Sequence, residues 1–334
     1  MTLAAFVGGL SLIAMGAFPQ RAVYMAAWMM LGTAMAGVLY EPAFAVVTAH
    51  FGAAYRRGIT LVTLIGGLAS TAFIPLAQFA VDQLGWSAAL MALGAFQIVV
   101  CVPLYALGLP RHIAALADGK VSPPASTARR LAGWWGELRR DVSDRRFLGL
   151  SIWFTAHASV FSGLIFQLIP ILQSGGVETA TMLKAIVLIG PMQVLGRIAL
   201  ATWGEQLDSL RLGGWAMSGL FAAVLILLTL PPSLTWLALF AALYGASNGM
   251  LTILRGTAVA ELFGRARYAE LNGALALPAV IAKAASPFAL AAIWSATGSP
   301  RAVFVVVLIL AAVGGLGIRL ARTAERSTRA AELV

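Results

Sequence analysis

The chain has 334 residues, of which 60% are hydrophobic and only 11% charged, against about 25% charged in a soluble domain. That composition describes a polytopic membrane protein and excludes a sizeable soluble domain. The net charge of +10 would suit a nucleic-acid partner in a soluble chain, but among membrane helices Lys and Arg first report topology, so no nucleic acid is expected. The single Cys101 lies in an apolar run, which rules out a disulfide framework. The opening MTLAAFVGGLSLIAMGAF has neither a basic n-region nor a clear cleavage site, so no signal peptide is expected.

Spanning helices are apolar runs of about 20 residues, the length that crosses about 30 Å of hydrocarbon. Ten are expected: a short first at 2–18, then 22–49, 58–83, 87–109, 148–173, 180–203, 213–230, 234–256, 268–297 and 301–321. Pro19, Pro231 and Pro232 fall between helices, where a missing N–H costs nothing. Pro75, Pro191, Pro278 and Pro287 fall inside helices, where neighbours must satisfy the freed carbonyls.

The basic residues are distributed unevenly. Eighteen of the 23 lie in even-numbered loops and the C-terminal tail, only Arg21 and Arg301 lie in odd-numbered loops, and Lys184, Arg197 and Lys283 lie within helices. The asymmetry predicts that both termini are cytoplasmic. Between the N-terminal half, 1–109, and the C-terminal six-helix half, 148–321, the loop 110–147 places Leu131, Trp134, Trp135, Leu138 and Val142 on one helical face, with arginines opposite. A cytoplasmic linker helix lying on the inner leaflet is expected there. Residues 322–334 form a cytoplasmic tail.

Shifting the chain by 212 residues aligns its two ends. Pro19 falls on Pro231, Phe51-Gly52 on Phe263-Gly264, and Pro75 on Pro287. A direct repeat of equal orientation is a parallel repeat about the membrane normal. Helices five and six have no counterpart in the first half. The expected architecture is therefore 4 + 6 helices, the two others lying upstream of Met1 or absent from a shortened variant.

The segments YEPAFAVVTAHFGAAYRRG, GWSAALMALGAFQ, IGPMQVLGRIALA and LRGTAVAELFGRARYAELNG, followed by LPAVIAKAASPFA, resemble the major facilitator superfamily over essentially the whole chain. Within it they are similar to a bacterial branch near the monocarboxylate and oxalate–formate type transporters. The loop GEQLDSLRLGG is a degenerate form of the family's Gly-Asp-Arg-Gly-Arg signature, and TLIGGLASTAFIPL lacks the Gly-Pro signature of drug/proton antiporters. The resemblance implies an all-α major facilitator fold, with Arg197 on the eighth family helix and Lys283 on the eleventh engaging a carboxylate substrate.

A charge at bilayer depth costs about 2.5–3.5 kcal/mol on insertion scales and is usually tolerated only in a cavity or a pair. Lys283 either binds an anion, snorkels, or pairs with Glu41. Arg197, about 10 Å from its helix's inner end at 1.5 Å per residue, either joins Lys283 or bonds loop carbonyls or Glu205. Glu41, before Pro42, is a candidate proton carrier or one half of a structural ion pair. His157, with Thr155, Ser159 and Ser162 nearby, titrates in the useful range and is either a substrate or proton group or a hydrogen-bonded core residue. Gln167, Gln193 and Asn248 are further polar groups on cavity-type helices, and Gln193 and Asn248 are taken as substrate contacts. Arg255, read as ending its helix at the inner surface, snorkels or forms a gate with Glu261. Gly245 and Gly249 form a GxxxG pair suited to close helix packing.

No phosphate loop, metal-ligand spacing or Ser–His–Asp set is evident, so no enzyme activity, cofactor or metal is expected. The expected function is secondary active transport of a small organic anion, a mono- or dicarboxylate, by proton symport or anion exchange. The expected setting is a monomer in a bacterial inner membrane, rocking about a central site. The alternatives are an efflux transporter of uncharged or cationic compounds and a truncated membrane protein that does not transport.

Overall fold

The computed structural model describes residues 1–18, 20–109, 143–204 and 207–332. The segment around Trp134 and Trp135, together with Pro19 and Glu205, lies outside them. Every regular element among the described residues is helical. Eight helices are long and apolar enough to cross a membrane, and Thr2–Ala17 is a shorter apolar helix. The chain is a multi-pass membrane protein. It divides into two compact units, Met1–Val121 and Ser122–Val334.

The first unit contains α1 (Thr2–Ala17), α2 (Arg21–Val38), α3 (Tyr40–His50), α4 (Tyr55–Phe96) and α5 (Val102–Gly108), with a π turn at Gln97–Cys101 between the last two. The run expected as one helix over 22–49 breaks at Leu39, whose backbone is extended. Pro42 has no N–H to offer the carbonyl four residues earlier, Val38, and that is where α2 stops. Glu41 consequently lies in the first turn of α3, where the helix dipole favours a carboxylate. The two helices expected at 58–83 and 87–109 are joined end to end through Gly85, whose φ of 76° and ψ of 164° no L residue adopts easily. On α1, small residues let backbones touch. A Cβ on Gly94 would lie 2.6 Å from the Gly9 carbonyl, and the Ser87 hydroxyl donates to the Gly16 carbonyl.

The second unit contains α6 (Arg145–Ser174), α7 (Thr179–Ile186), α8 (Ile189–Trp203), α9 (Ser209–Thr229), α10 (Leu234–Phe263), α11 (Tyr268–Thr297) and α12 (Pro300–Glu332). α6 packs on α11 and α12, α9 on α10 and α12, and α8 on α10. The helix expected at 180–203 divides at Val187–Leu188. Proline supplies the reason again, since Pro191 has no N–H for the Val187 carbonyl. Asp144 caps α6, accepting from the Arg146 N–H at 2.7 Å and from its guanidinium at 2.7 Å. Burial would raise the Asp144 carboxyl, but these bonds and the Arg146 charge hold it below its ordinary value.

α8 approaches α10 through glycines on both sides. A Cβ on Gly245 would lie 2.5 Å from the Ile189 carbonyl, one on Gly249 would collide with the Gln193 carbonyl, and one on Gly196 with that of Ala246. Backbone cannot give way as a side chain can. Gly249→Ala is therefore expected to destabilise by about 1–3 kcal/mol, the usual cost of overpacking, read as a lower unfolding midpoint in detergent. Gly190→Ala on the same helix, where a Cβ meets open space, should leave that midpoint unchanged or raised.

The 212-residue repeat reappears in the helix boundaries. α1 ends at Ala17 and α9 at Thr229. Gly52 and Gly264, both with positive φ, follow the ends of α3 and α10. α4 starts at Tyr55 and α11 at Tyr268, and the positive-φ Gly85 answers Gly298, one residue out of register.

Candidate functional site in the second unit

α10 runs to Phe263, seven residues past the end expected from hydropathy. Its last turns hold because the Glu261 carboxylate accepts from the Ser209 N–H at 2.9 Å and from the Ser209 hydroxyl at 2.7 Å, at the start of α9. Arg255 is therefore two turns inside α10, and its reading as a helix-end residue is corrected. The Arg255 guanidinium lies over the Phe154 ring of α6, 5.6 Å from its centroid, in cation–π geometry.

Tyr244, Asn248 and Arg255 form one stripe of α10 directed at α6. The Tyr244 hydroxyl donates to the Phe161 carbonyl at 3.0 Å, and its ring stacks on Phe161 at 5.7 Å. One turn on, Asn248 Oδ1 lies 3.0 Å from His157 Nε2. An amide oxygen has no proton to give, so the imidazole donates through Nε2–H. Asn248 is buried, which makes that bond worth its ordering. Gly245 and Gly249, one step round the helix, form the stripe that receives α8.

Lys283 enters from α11. Pro287 has no N–H for the carbonyl four residues earlier, which is that of Lys283, and the Ser162 hydroxyl of α6 donates to it at 2.7 Å. The Gln167 amide in turn donates to the Pro287 carbonyl at 3.0 Å. The two bonds fix the height and rotation of α11 against α6. The Lys283 side chain is exposed, and among the described residues of its own unit it has no acidic partner. Counted at 1.5 Å per residue, His157 lies about 18 Å from the start of α6, Lys283 about 22 Å from the start of α11, and Asn248 and Arg255 about 22 and 12 Å from the end of α10. Ser162→Ala is expected to cost about 1 kcal/mol by leaving the Lys283 carbonyl unsatisfied. Ser162→Thr, which keeps the hydroxyl, should recover most of that loss in the same melting experiment.

Of the residues marked in the sequence, His157 and Asn248 are joined by a hydrogen bond, Arg255 meets α6 at Phe154, and Lys283 meets α6 through its backbone carbonyl. Gln193 and Arg197 lie one turn apart on α8, Arg197 buried where that helix packs on α10. Glu41 belongs to the other unit. Ser162 and Phe154 were not marked as site residues, although the proline rule alone shows that the Lys283 carbonyl needs a donor. Among the described residues no group of three or more His, Cys, Asp or Glu is placed to hold a metal ion.

No known family profile matches the chain, and no curated protein matches it by sequence. Solved structures do. The human organic anion transporter MFSD10 (TETRAN) superposes with a TM-score of 0.72 at 18% identity, over 95% of this chain and 76% of that one. The chain has the major facilitator fold. A bacterial homologue of the human lysosomal transporter Spinster, inward-facing and unoccupied, superposes with a TM-score of 0.51 at 17% identity, over 97% of this chain and 83% of that one. In the major facilitator fold two halves are related by a parallel repeat, in keeping with the matched helix ends at Ala17 and Thr229 and at Gly52 and Gly264.

Proposed function

We propose that the chain is a secondary active transporter of small organic anions, mono- or dicarboxylates, working by alternating access in a bacterial inner membrane with both termini cytoplasmic. One observation carries the reading: α6 bonds His157 to Asn248 of α10, meets Arg255 of α10 through Phe154 and holds the Lys283 carbonyl of α11, and Lys283 has no carboxylate among the described residues of its own unit. Two cations on helices that meet α6 at bilayer depth make an environment that attracts an anion and repels a cation. Arg offers a planar fork and Lys a point charge, a combination suited to one carboxylate.

The fold supports the transporter half of the reading. That one protein of this fold is described as an organic anion transporter agrees with the anion half. The resemblance to the monocarboxylate and oxalate–formate type adds Arg197 and Gln193 as anion-facing groups on α8. The test is uptake into proteoliposomes holding the purified chain, with labelled benzoate and oxalate compared against labelled tetraphenylphosphonium. Saturable uptake of either carboxylate, competed by the other, is expected. Uptake of the cation and of neither anion would overturn the reading in favour of efflux of cationic compounds.

A further inference from the structure

We propose that the second unit binds a phospholipid with a zwitterionic headgroup, one acyl chain entering a dry pocket between the ends of α6, α9, α10 and α12. The residues of this pocket include none of those proposed to hold the anion.

The pocket lies where α6 and α9 end and α10 and α12 begin, in the outer leaflet under the proposed topology. Its volume is about 140 Å³. An apolar cavity of about 150 Å³ stays dry and admits benzene, so there is room for about six carbons of a chain. Every side chain lining it is apolar, the indole N–H of Trp236 excepted. Leu172, Leu237 and Phe304 are buried and form its floor, and Gly175, Pro231 and Pro232 are exposed and form its mouth.

The local sequence opens this space and strips it of donors. Gly175 has no side chain to fill it, and the two prolines have no N–H. The neighbouring N–H groups are spent within the chain. Gly175 donates to the Ile171 carbonyl and Val177 to that of Leu172, both at 3.1 Å, and Leu230 donates to that of Ile226 at 3.0 Å. A polar solute entering there would lose its hydration without a hydrogen bond in return. An alkyl chain from the surrounding lipid has no such loss and gains dispersion contacts with the walls.

The mouth selects the headgroup. Val177 is followed by Glu178 and Pro300 by Arg301, and both charged residues are exposed. The Thr181 hydroxyl donates to Glu178 at 3.3 Å, which takes one of the roughly four acceptor sites of a carboxylate. A phosphate at Arg301 and an ammonium at Glu178 satisfy both charges, whereas a headgroup with no cation leaves Glu178 opposed. Trp236 is of the residue type that marks headgroup level, the level at which such a pair forms.

The test follows the unfolding midpoint of the purified full chain in detergent as phosphatidylethanolamine or phosphatidylglycerol is added. Phosphatidylethanolamine is expected to raise the wild-type midpoint saturably, by about 5 °C at roughly 100 times its Kd, and phosphatidylglycerol by clearly less. Gly175→Leu fills the pocket at a residue whose φ is −82° and whose added Cβ would have its nearest neighbour, the Leu172 carbonyl, 3.5 Å away. That variant is expected to fold and to respond to neither lipid. Val177→Phe is the second filling variant should the first not fold. Glu178→Gln is expected to let phosphatidylglycerol match phosphatidylethanolamine. No response of wild type, an equal response to the two lipids, or a response kept in the filled variant would overturn the proposal. A rise with benzene and with neither lipid would overturn it in favour of a small apolar ligand.

Discussion

Lys283→Gln is expected to lower carboxylate uptake by roughly 30-fold or more while leaving the protein at least as stable as the wild type. The loss follows from truncating one partner of a charge-assisted contact, about 2–5 kcal/mol. The stability follows from the surroundings of Lys283. Its ammonium is exposed and lacks an acidic partner among the described residues of its unit, so Gln removes a charge that costs about 2.5–3.5 kcal/mol at bilayer depth and breaks no pair there. The backbone bond from Ser162 to the Lys283 carbonyl is untouched by a side-chain change. A structural ion pair, with Glu41 for instance, has the opposite signature, because breaking a buried pair destabilises by about 3–5 kcal/mol. Uptake into proteoliposomes together with thermal unfolding of the same preparation separates the two. Lower activity with an unchanged or higher midpoint is the expected result, and a lower midpoint with proportionate loss of activity would assign Lys283 to the scaffold.

Arg255→Gln is expected to cost a similar factor, and Arg255→Lys an intermediate one. The guanidinium does two things at once. It carries a charge on the same stripe of α10 as Asn248, and its central carbon lies 5.6 Å from the centroid of the Phe154 ring, which fixes its direction. Lys keeps the charge but loses the fork and most of the stacking, so about tenfold weaker apparent affinity is expected, near the 0.5–2 kcal/mol of a cation–π contact. Gln loses both. If Arg255 served only to reach the inner surface, Lys would restore uptake fully. KM for benzoate in wild type, Arg255→Lys and Arg255→Gln gives the ranking.

Much of this architecture was legible in the sequence because punctuation survives where identity does not. Phe51-Gly52 and Phe263-Gly264 aligned at a shift of 212, and both glycines have positive φ, a conformation that selects glycine in either half. Hydropathy was blind to breaks inside apolar runs. Leu39 and Val187–Leu188 interrupt helices that read as continuous, and each break lies where a proline withholds one N–H. It was equally blind to a helix that outlasts its apolar stretch. α10 continues through LRGTAVAELF because Glu261 is tied to Ser209, 52 residues earlier, and no local pattern carries that pairing. That shortfall put Arg255 at the helix end, about two turns short of where α10 stops. Likewise His157 and Asn248 were each visible as polar residues in apolar helices, but their bond spans 91 residues, and only the packing of α6 on α10 brings them together.

The most direct test is a double-mutant cycle on benzoate binding, measured calorimetrically in wild type, Lys283→Gln, Arg255→Gln and the double variant. If both cations hold one anion, either single change removes most of the affinity, and the double variant loses clearly less than the two losses added, a coupling of about 0.5–3 kcal/mol. Losses that simply add, or single variants that bind as the wild type does, would contradict a shared anion site at Arg255 and Lys283.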